Sequence, residues 1–174
     1  MNFAEANNDD NIIEAKIRAL IVDPNSGTPV LILKDTNSDD MVPIWVGACE
    51  ANAIAAAIEN NVSPRPMTHD LLRNFISHVG LEVSRIVITT LKENTYYATI
   101  ELLDNQGQGS FMDARPSDAI ALALRAACPI MISKQIFAEQ NQKNEEAETE
   151  KSAARQTHEE DWPDIISEGN DMSM

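Results

Sequence analysis

One offset of 66 residues aligns four segments of this chain with four later segments, without a gap. Two alanine-rich runs coincide, residues 53–58 with residues 119–124, and strand-like apolar runs coincide before them. The strand-like positions brought together are Ile17 with Val83, Ile21 with Val87, Val30 with Tyr96, and Trp45 with Phe111. This spacing predicts a unit of three strands and one helix that occurs twice. The alternative is a chance similarity among short apolar segments.

Local patterns of apolar and polar residues support the predicted order of strands and helices. Apolar and charged residues alternate from Ile13 to Ile21, which is typical of a half-buried strand. Thr68 is suited to cap a helix whose apolar residues fall on one face, namely Leu71, Leu72, Phe75, Ile76 and Val79. We therefore predict an α+β fold in which helices pack on a mixed β-sheet. The Thr68 helix would join the two βββα units.

Charge divides the chain. The formal net charge is −15, and residues 139–174 carry eleven acids against three bases. Such a segment buries too little apolar area to offset the entropy of ordering. We predict a flexible N-terminus at residues 1–11, one domain at residues 12–138, and a disordered acidic tail at residues 139–174. The excess of acidic residues gives no reason to expect nucleic-acid binding, because proteins usually bind phosphate backbones through lysine and arginine.

Neither a membrane-spanning apolar run nor a signal-peptide pattern occurs in the sequence. We expect a cytoplasmic protein without a membrane partner. Cys49 and Cys128 lack a CxxC spacing, so we interpret them as reduced, buried thiols.

Polar chemistry is concentrated at the turn Asp113-Ala114-Arg115-Pro116-Ser117-Asp118, just before the second alanine-rich helix. Unpaired N–H groups at a helix start favour anions, and the two carboxylates favour a metal ion. A second polar segment, residues 62–67, has two prolines that hold Arg65 on a stiff, extended backbone. If the two units are equivalent, Glu50 and Asp118 lie near the starts of equivalent helices. A site could then form where the two units face each other.

Four motifs in this order resemble the bifunctional nuclease domain family, also called the domain of unknown function 151 family. They are VPIWVG at 42–47, EA at 50–51, PRPMTHDLL at 64–72 and DARPSDAIALAL at 113–124. The resemblance covers residues 12–137 and none of the acidic tail. It implies an α+β fold, a homodimer or higher homo-oligomer, and a nuclease that acts on DNA and RNA, as described for plant members. Single-stranded DNA or RNA is then the expected partner.

Phosphodiester hydrolysis indicates roles for the residues in these motifs. Hard divalent cations prefer oxygen ligands, so Mg²⁺ or Mn²⁺ is the expected cofactor. The predicted metal ligands are Glu50, Asp113 and Asp118. The predicted catalytic residues are His69, Asp70, Asp113 and Asp118, with His69 as general base because imidazole exchanges protons near neutral pH. Arg65 and Arg115 are the predicted phosphate-binding residues, since a guanidinium binds phosphate in bidentate fashion.

Each role has a structural alternative. Asp118, or His69 with Asp70, can serve only to stabilise a helix start. Glutamate near a helix start, as at Glu50, is ordinary, and Arg115 can simply pair with Asp113. Two other functions also stay open: a module that binds a small anionic ligand or nucleotide without metal, and a protein whose apolar helices and sheet edges serve assembly. Dependence of activity on a divalent ion separates the nuclease from both.

Overall fold

The computed structural model describes residues 11–142. Its strands are β1 (Ile12–Val22), β2 (Pro29–Asp35), β3 (Met41–Trp45), β4 (Leu81–Lys92), β5 (Thr95–Asp104), β6 (Gly109–Ala114) and β7 (Ile130–Ser133). Its helices are α1 (Ala48–Ile58), α2 (Thr68–His78), α3 (Pro116–Ala126) and α4, which is described over residues 134–142.

The strands form one sheet in the order β3-β2-β1-β7-β4-β5-β6. Strand β7 runs parallel to β4 and antiparallel to β1, whereas every other neighbouring pair is antiparallel. The sheet is therefore mixed, and the predicted α+β fold is confirmed. Each half of the sheet is a three-stranded meander followed by a helix, α1 or α3. An internal duplication as the origin of this arrangement stays a prediction.

All four described helices contribute to one core on one face of the sheet. The alanines of α1 and α3 let these two helices pack against each other with little side-chain bulk between them. The fully buried side chains of this core include Leu31, Leu33, Val42, Ile54, Ile86, Ile88, Ile100, Ile120, Leu122 and Ile132. On the other face, Trp45 is 57% exposed and Phe111 is 50% exposed. The helix-covered face is thus the hydrophobic interior that positions the helix starts.

Helix α2 buries only part of its apolar face. Of the five apolar residues predicted to share one face, Ile76 is fully buried and Leu72 is half-buried. The other three, Leu71, Phe75 and Val79, are exposed. These three stay uncovered because α2 contacts the rest of the domain mainly through α3 and β4.

The start of α2 also differs from the prediction. Thr68 is the first helical residue, and Met67 occupies the N-cap position. The Met67 backbone N–H donates to Asp70 Oδ2 at 2.9 Å, so the carboxylate of the third helical residue closes the first turn. Gly80 follows the helix with a positive φ of 78°, as expected for a glycine that ends a helix.

Only four residues of the predicted acidic tail are described. Residues 139–142 lie in helix α4, while residues 143–174 and residues 1–10 lie outside the described part. Disorder of the acidic tail and flexibility of the N-terminus therefore stay predictions. Within the described part, no helix is long and apolar enough to cross a membrane.

Candidate active site

Arg115 joins the starts of α1 and α3. It occupies the N-cap position of α3, and Pro116 follows at the first helical position, where its missing N–H costs nothing. Arg115 Nε donates to Asp118 Oδ2 at 2.7 Å, and Arg115 Nη2 donates to Glu50 Oε1 at 2.8 Å. One guanidinium therefore bridges two carboxylates, one from each half of the fold. Pairing of Arg115 with Asp113, the structural alternative, is not what the structure shows.

His69 completes this cluster from the first turn of α2. Its Nε2 lies 3.3 Å from Asp118 Oδ1, and its side chain is only 12% exposed. Asp118 thus contacts Arg115 with one oxygen and His69 with the other. The structure brings together four of the residues predicted from sequence, Glu50, His69, Arg115 and Asp118, which we call the Arg115 cluster.

The charges of the cluster keep its carboxylates ionised. The pKa of Glu50 is lowered, first by the backbone N–H of its own residue and then by the Arg115 guanidinium. Burial raises the pKa of Asp118, but hydrogen bonds from Arg115 and His69 outweigh it, so that pKa also lies below its usual value. The same two carboxylates raise the pKa of Arg115, Asp118 more than Glu50. At neutral pH the cluster therefore holds two negative charges around one permanent positive charge.

Gly47 makes room for Glu50. It is the N-cap residue of α1, and Glu50 is the third helical residue, so the carboxylate folds back over the helix start. A Cβ atom at Gly47 would overlap Glu50 Oε2. The backbone of Gly47 is extended, with φ −68° and ψ 157°, so the side chain of Glu50, not a strained backbone, explains the glycine.

Arg125 holds the three helices around the cluster together. Its side chain is only 11% exposed, and its Nε donates to Asp70 Oδ1 at 2.6 Å. Its other nitrogens donate to the Ala121 carbonyl at 2.8 Å and the Ala53 carbonyl at 3.1 Å. The pKa of Asp70 is lowered, first by the Met67 N–H and then by Arg125. Asp70, predicted to be catalytic, therefore fixes the position of α2 while its neighbour His69 reaches the cluster.

Sequence reasoning did not single out Arg125. The available signal is a single cation in the apolar run ALALRAA, because a charged residue on a buried helix face needs a partner.

The cluster lines a pocket of about 410 Å³ between the three helices. Its wall also includes Cys49, whose thiol is exposed, contrary to the prediction of two buried cysteines. The second cysteine, Cys128, is partly buried, and burial raises its pKa to about 11.

A larger pocket of about 670 Å³ adjoins the first, since Ala56, Met67 and Arg125 line both.

Two predicted site residues lie apart from the cluster. Asp113 is paired with Thr99 on β5, whereas its neighbour Ala114 is paired with Ala98, a residue of the helix-covered core. Because paired residues share a face and successive residues alternate, Asp113 projects from the opposite face of the sheet. Arg65 is exposed, and it lines neither pocket.

Residues 31–145 match the bifunctional nuclease domain family. The chain belongs to this family. An uncharacterised protein of Mycobacterium tuberculosis (strain CDC 1551 / Oshkosh) is 37% identical over 126 residues, which is 72% of this chain and 74% of that protein. Bifunctional nuclease 1 of Oryza sativa subsp. indica is 28% identical over 109 residues, 62% of this chain and 33% of the plant protein. Bifunctional nuclease 1 of Arabidopsis thaliana is 28% identical over 109 residues, 61% of this chain and 34% of that protein.

The matches extend over only about a third of each plant relative. All four residues of the Arg115 cluster lie within residues 31–145, the part of the chain that matches the bifunctional nuclease domain.

The predicted metal ligands do not form one donor set in this bifunctional nuclease domain. Over residues 11–142, no group of three or more histidine, cysteine, aspartate or glutamate side chains is placed to hold a metal ion. Glu50 and Asp118 face a guanidinium instead, and Asp113 projects from the other face of the sheet. This arrangement does not fit an ion held by all three carboxylates.

Proposed function

We propose that this chain hydrolyses phosphodiester bonds of DNA and RNA at the Arg115 cluster. The observation that carries the proposal is that Asp118 holds a guanidinium and an imidazole side by side at the wall of a pocket. The Arg115 side chain is 66% exposed, so a phosphate can reach it without unfolding the helix start. The plant relatives named bifunctional nuclease support the substrate class at low identity.

In the proposed reaction, Asp118 orients His69 and Arg115 binds the phosphate. When His69 Nε2–H donates to Asp118, the other ring nitrogen, Nδ1, is the acceptor and can take a proton from water. The water oxygen then attacks phosphorus, and the bond to the leaving oxygen breaks. The guanidinium of Arg115 stabilises the negative charge that grows on the phosphate oxygens. The leaving oxygen takes a proton from solvent or from the protonated imidazole and departs as a hydroxyl group.

Dependence on Mg²⁺ or Mn²⁺ is a separate part of the proposal. Mg²⁺ commonly binds through one or two carboxylates with several waters, and only Glu50 and Asp118 of the predicted ligands share the pocket. The roles of Arg115, Asp118 and His69 above do not involve an ion. A requirement for metal is therefore tested by chelating or adding the ion, not by replacing these residues.

The test is cleavage of labelled single-stranded DNA and RNA by purified full-length protein, in EDTA and with added Mg²⁺ or Mn²⁺. Arg115→Ala and His69→Ala should each lower the rate at least about a hundredfold, because each removes a group that acts on the reacting phosphate or water. Arg18→Ala is the matched control, since Arg18 is an exposed arginine on β1 away from the pocket. Equal residual cleavage in all four proteins would assign the activity to a contaminant and contradict the proposal.

A non-catalytic binding module is the second candidate. Arg115 is hydrogen-bonded to two carboxylates, and this observation favours the second candidate. Ion-pair networks with a purely structural role have the same arrangement. This candidate predicts nucleotide or oligonucleotide binding without cleavage under any metal condition. The same assay separates the two candidates.

A further inference from the structure

The larger pocket lies beside the Arg115 cluster and has a different chemistry. It is lined by residues from the end of α1, the proline-containing segment after it, the first part of α2 and the end of α3, with a volume of about 670 Å³. Met67 and Arg125 belong to its wall and also to the wall of the cluster pocket. A ligand that fills both pockets therefore passes directly from one to the other.

Three asparagines line this pocket: Asn60, Asn61 and Asn74. Asn60 follows α1 in the left-handed conformation, with φ 51°, a position that asparagine tolerates better than most residues. Within residues 11–142, no hydrogen bond engages any of the three side-chain amides. Each amide offers one acceptor and two donors, the pattern that pairs with the edge of a nucleobase.

The pocket is also locally cationic in an acidic chain. Arg73 is exposed on its wall and, over the described residues, takes part in no ion pair. Arg125 and Asp70 on the same wall offset each other's charge. The guanidinium of Arg73 is therefore left available for an anion, although the whole chain carries a net charge of −15.

The remaining wall is apolar and stiff. Pro64 and Pro66 restrict the backbone of the segment between α1 and α2, and Met67 with Leu124 supplies polarizable, apolar surface. Ligand pockets in proteins have volumes of roughly 300–1,000 Å³ and combine apolar surface with a few polar groups. This pocket meets both conditions before any ligand is bound.

We propose that this pocket binds one unpaired nucleobase of a single-stranded nucleic acid, with the adjoining phosphate on Arg73. The asparagine amides would read the base edge, and the proline and Met67 surface would contact its flat face. The inference rests on the proposed function in one respect: the next phosphate along the strand is the one placed at the Arg115 cluster. A base inside a duplex cannot enter without leaving the stack, so single strands are the preferred substrate class.

The test measures binding, so that it does not depend on cleavage. Fluorescence anisotropy compares a labelled, cleavage-resistant phosphorothioate single strand with a matched strand that lacks bases. The double variant Asn61→Ala/Asn74→Ala should weaken binding of the base-containing strand about tenfold and leave the abasic strand unchanged. Arg73→Ala should weaken both strands and reduce the salt dependence by about one phosphate contact. Asn105→Ala, in the turn after β5, is the matched control and should bind both strands like wild type.

Three outcomes would overturn the inference: equal binding of base-containing and abasic strands by the wild type, unchanged binding by the folded double variant, or equal competition by a free nucleoside monophosphate. The last would assign the pocket to a small molecule. If Arg115→Ala loses cleavage while the asparagine double variant binds like wild type, the proposed function is supported and the base pocket is rejected. Base-dependent binding without cleavage supports the pocket and rejects hydrolysis.

Discussion

Replacing Arg125 by methionine tests the claim that one buried guanidinium holds α1, α2 and α3 in place. Methionine keeps most of the aliphatic stem, so the substitution chiefly removes the charge and its hydrogen bonds. The bond to Asp70 is charge-assisted and lies where both side chains are mostly buried, at 11% and 30% exposure. We assign about 2 kcal/mol to that bond, within the range for bonds to charged groups.

The two carbonyl contacts of Arg125 contribute less. The Ala121 and Ala53 carbonyls belong to regular helices, where each also accepts a backbone hydrogen bond, so neither oxygen is left without a partner. We assign about 0.5 kcal/mol to each contact. The expected loss in free energy of unfolding is therefore about 3 kcal/mol, or a fall in Tm of about 10 °C for a domain of this size.

Urea denaturation followed by circular dichroism measures this loss in Arg125→Met. Arg73→Met is the control, because Arg73 is an exposed arginine on α2 and should change stability by less than about 0.5 kcal/mol. A double-mutant cycle with Asp70→Asn should give a coupling energy of at least about 1 kcal/mol. A loss below about 1 kcal/mol in Arg125→Met would refute the reasoning, because the three hydrogen bonds would then not hold the helices together.

Three further predictions concern other features. Gly47→Ala should fold with a Tm within about 3 °C of wild type but lower the cleavage rate at least about tenfold, because the added methyl displaces the Glu50 carboxylate that pairs with Arg115. Gly109→Ala is the control, because its Cβ meets only ordinary contacts. Asp118→Asn should lower the free energy of unfolding by about 1 kcal/mol at pH 7, as measured by urea denaturation. Because the folded-state pKa of Asp118 is lowered, the difference in stability between wild type and variant should shrink as the pH falls below about 4. Sedimentation should give a mass of at least twice the 19.2 kDa of one chain if the expected homo-oligomer forms. A single-chain mass at all concentrations contradicts that expectation.

Most of the fold could be predicted because its signals are local. The alternation of apolar and charged residues predicts β1, and the alanine-rich runs predict α1 and α3. The offset of 66 residues predicts the order of strands and helix in both halves. The exposure of Leu71 and Phe75 on α2 could not be predicted in this way. An apolar stripe shows that a helix has an apolar face, but not how much of that face its neighbours cover.

The candidate site was predictable only in part. Glu50 and Arg115 came together because each lies at the start of an alanine-rich helix, a position that sequence marks well. The face on which Asp113 projects depends on the pairing of β6 with β5, which no pattern inside β6 fixes because five of its six residues are exposed. The partners of Arg125 lie on two other helices, so they require the tertiary structure.

Strand β7, the last strand of the described residues, lies in the middle of the sheet between β1 and β4. Its Ser133 pairs with Ile12 at the other end of the described chain, so the two halves cannot join into one sheet until nearly the whole domain has been synthesised. Until then, a nascent or truncated chain leaves the inner edges of both meanders unpaired, where strands of other molecules can add. Shortening the protein from its C-terminal side past Ile130 should therefore cause aggregation, not a smaller folded domain.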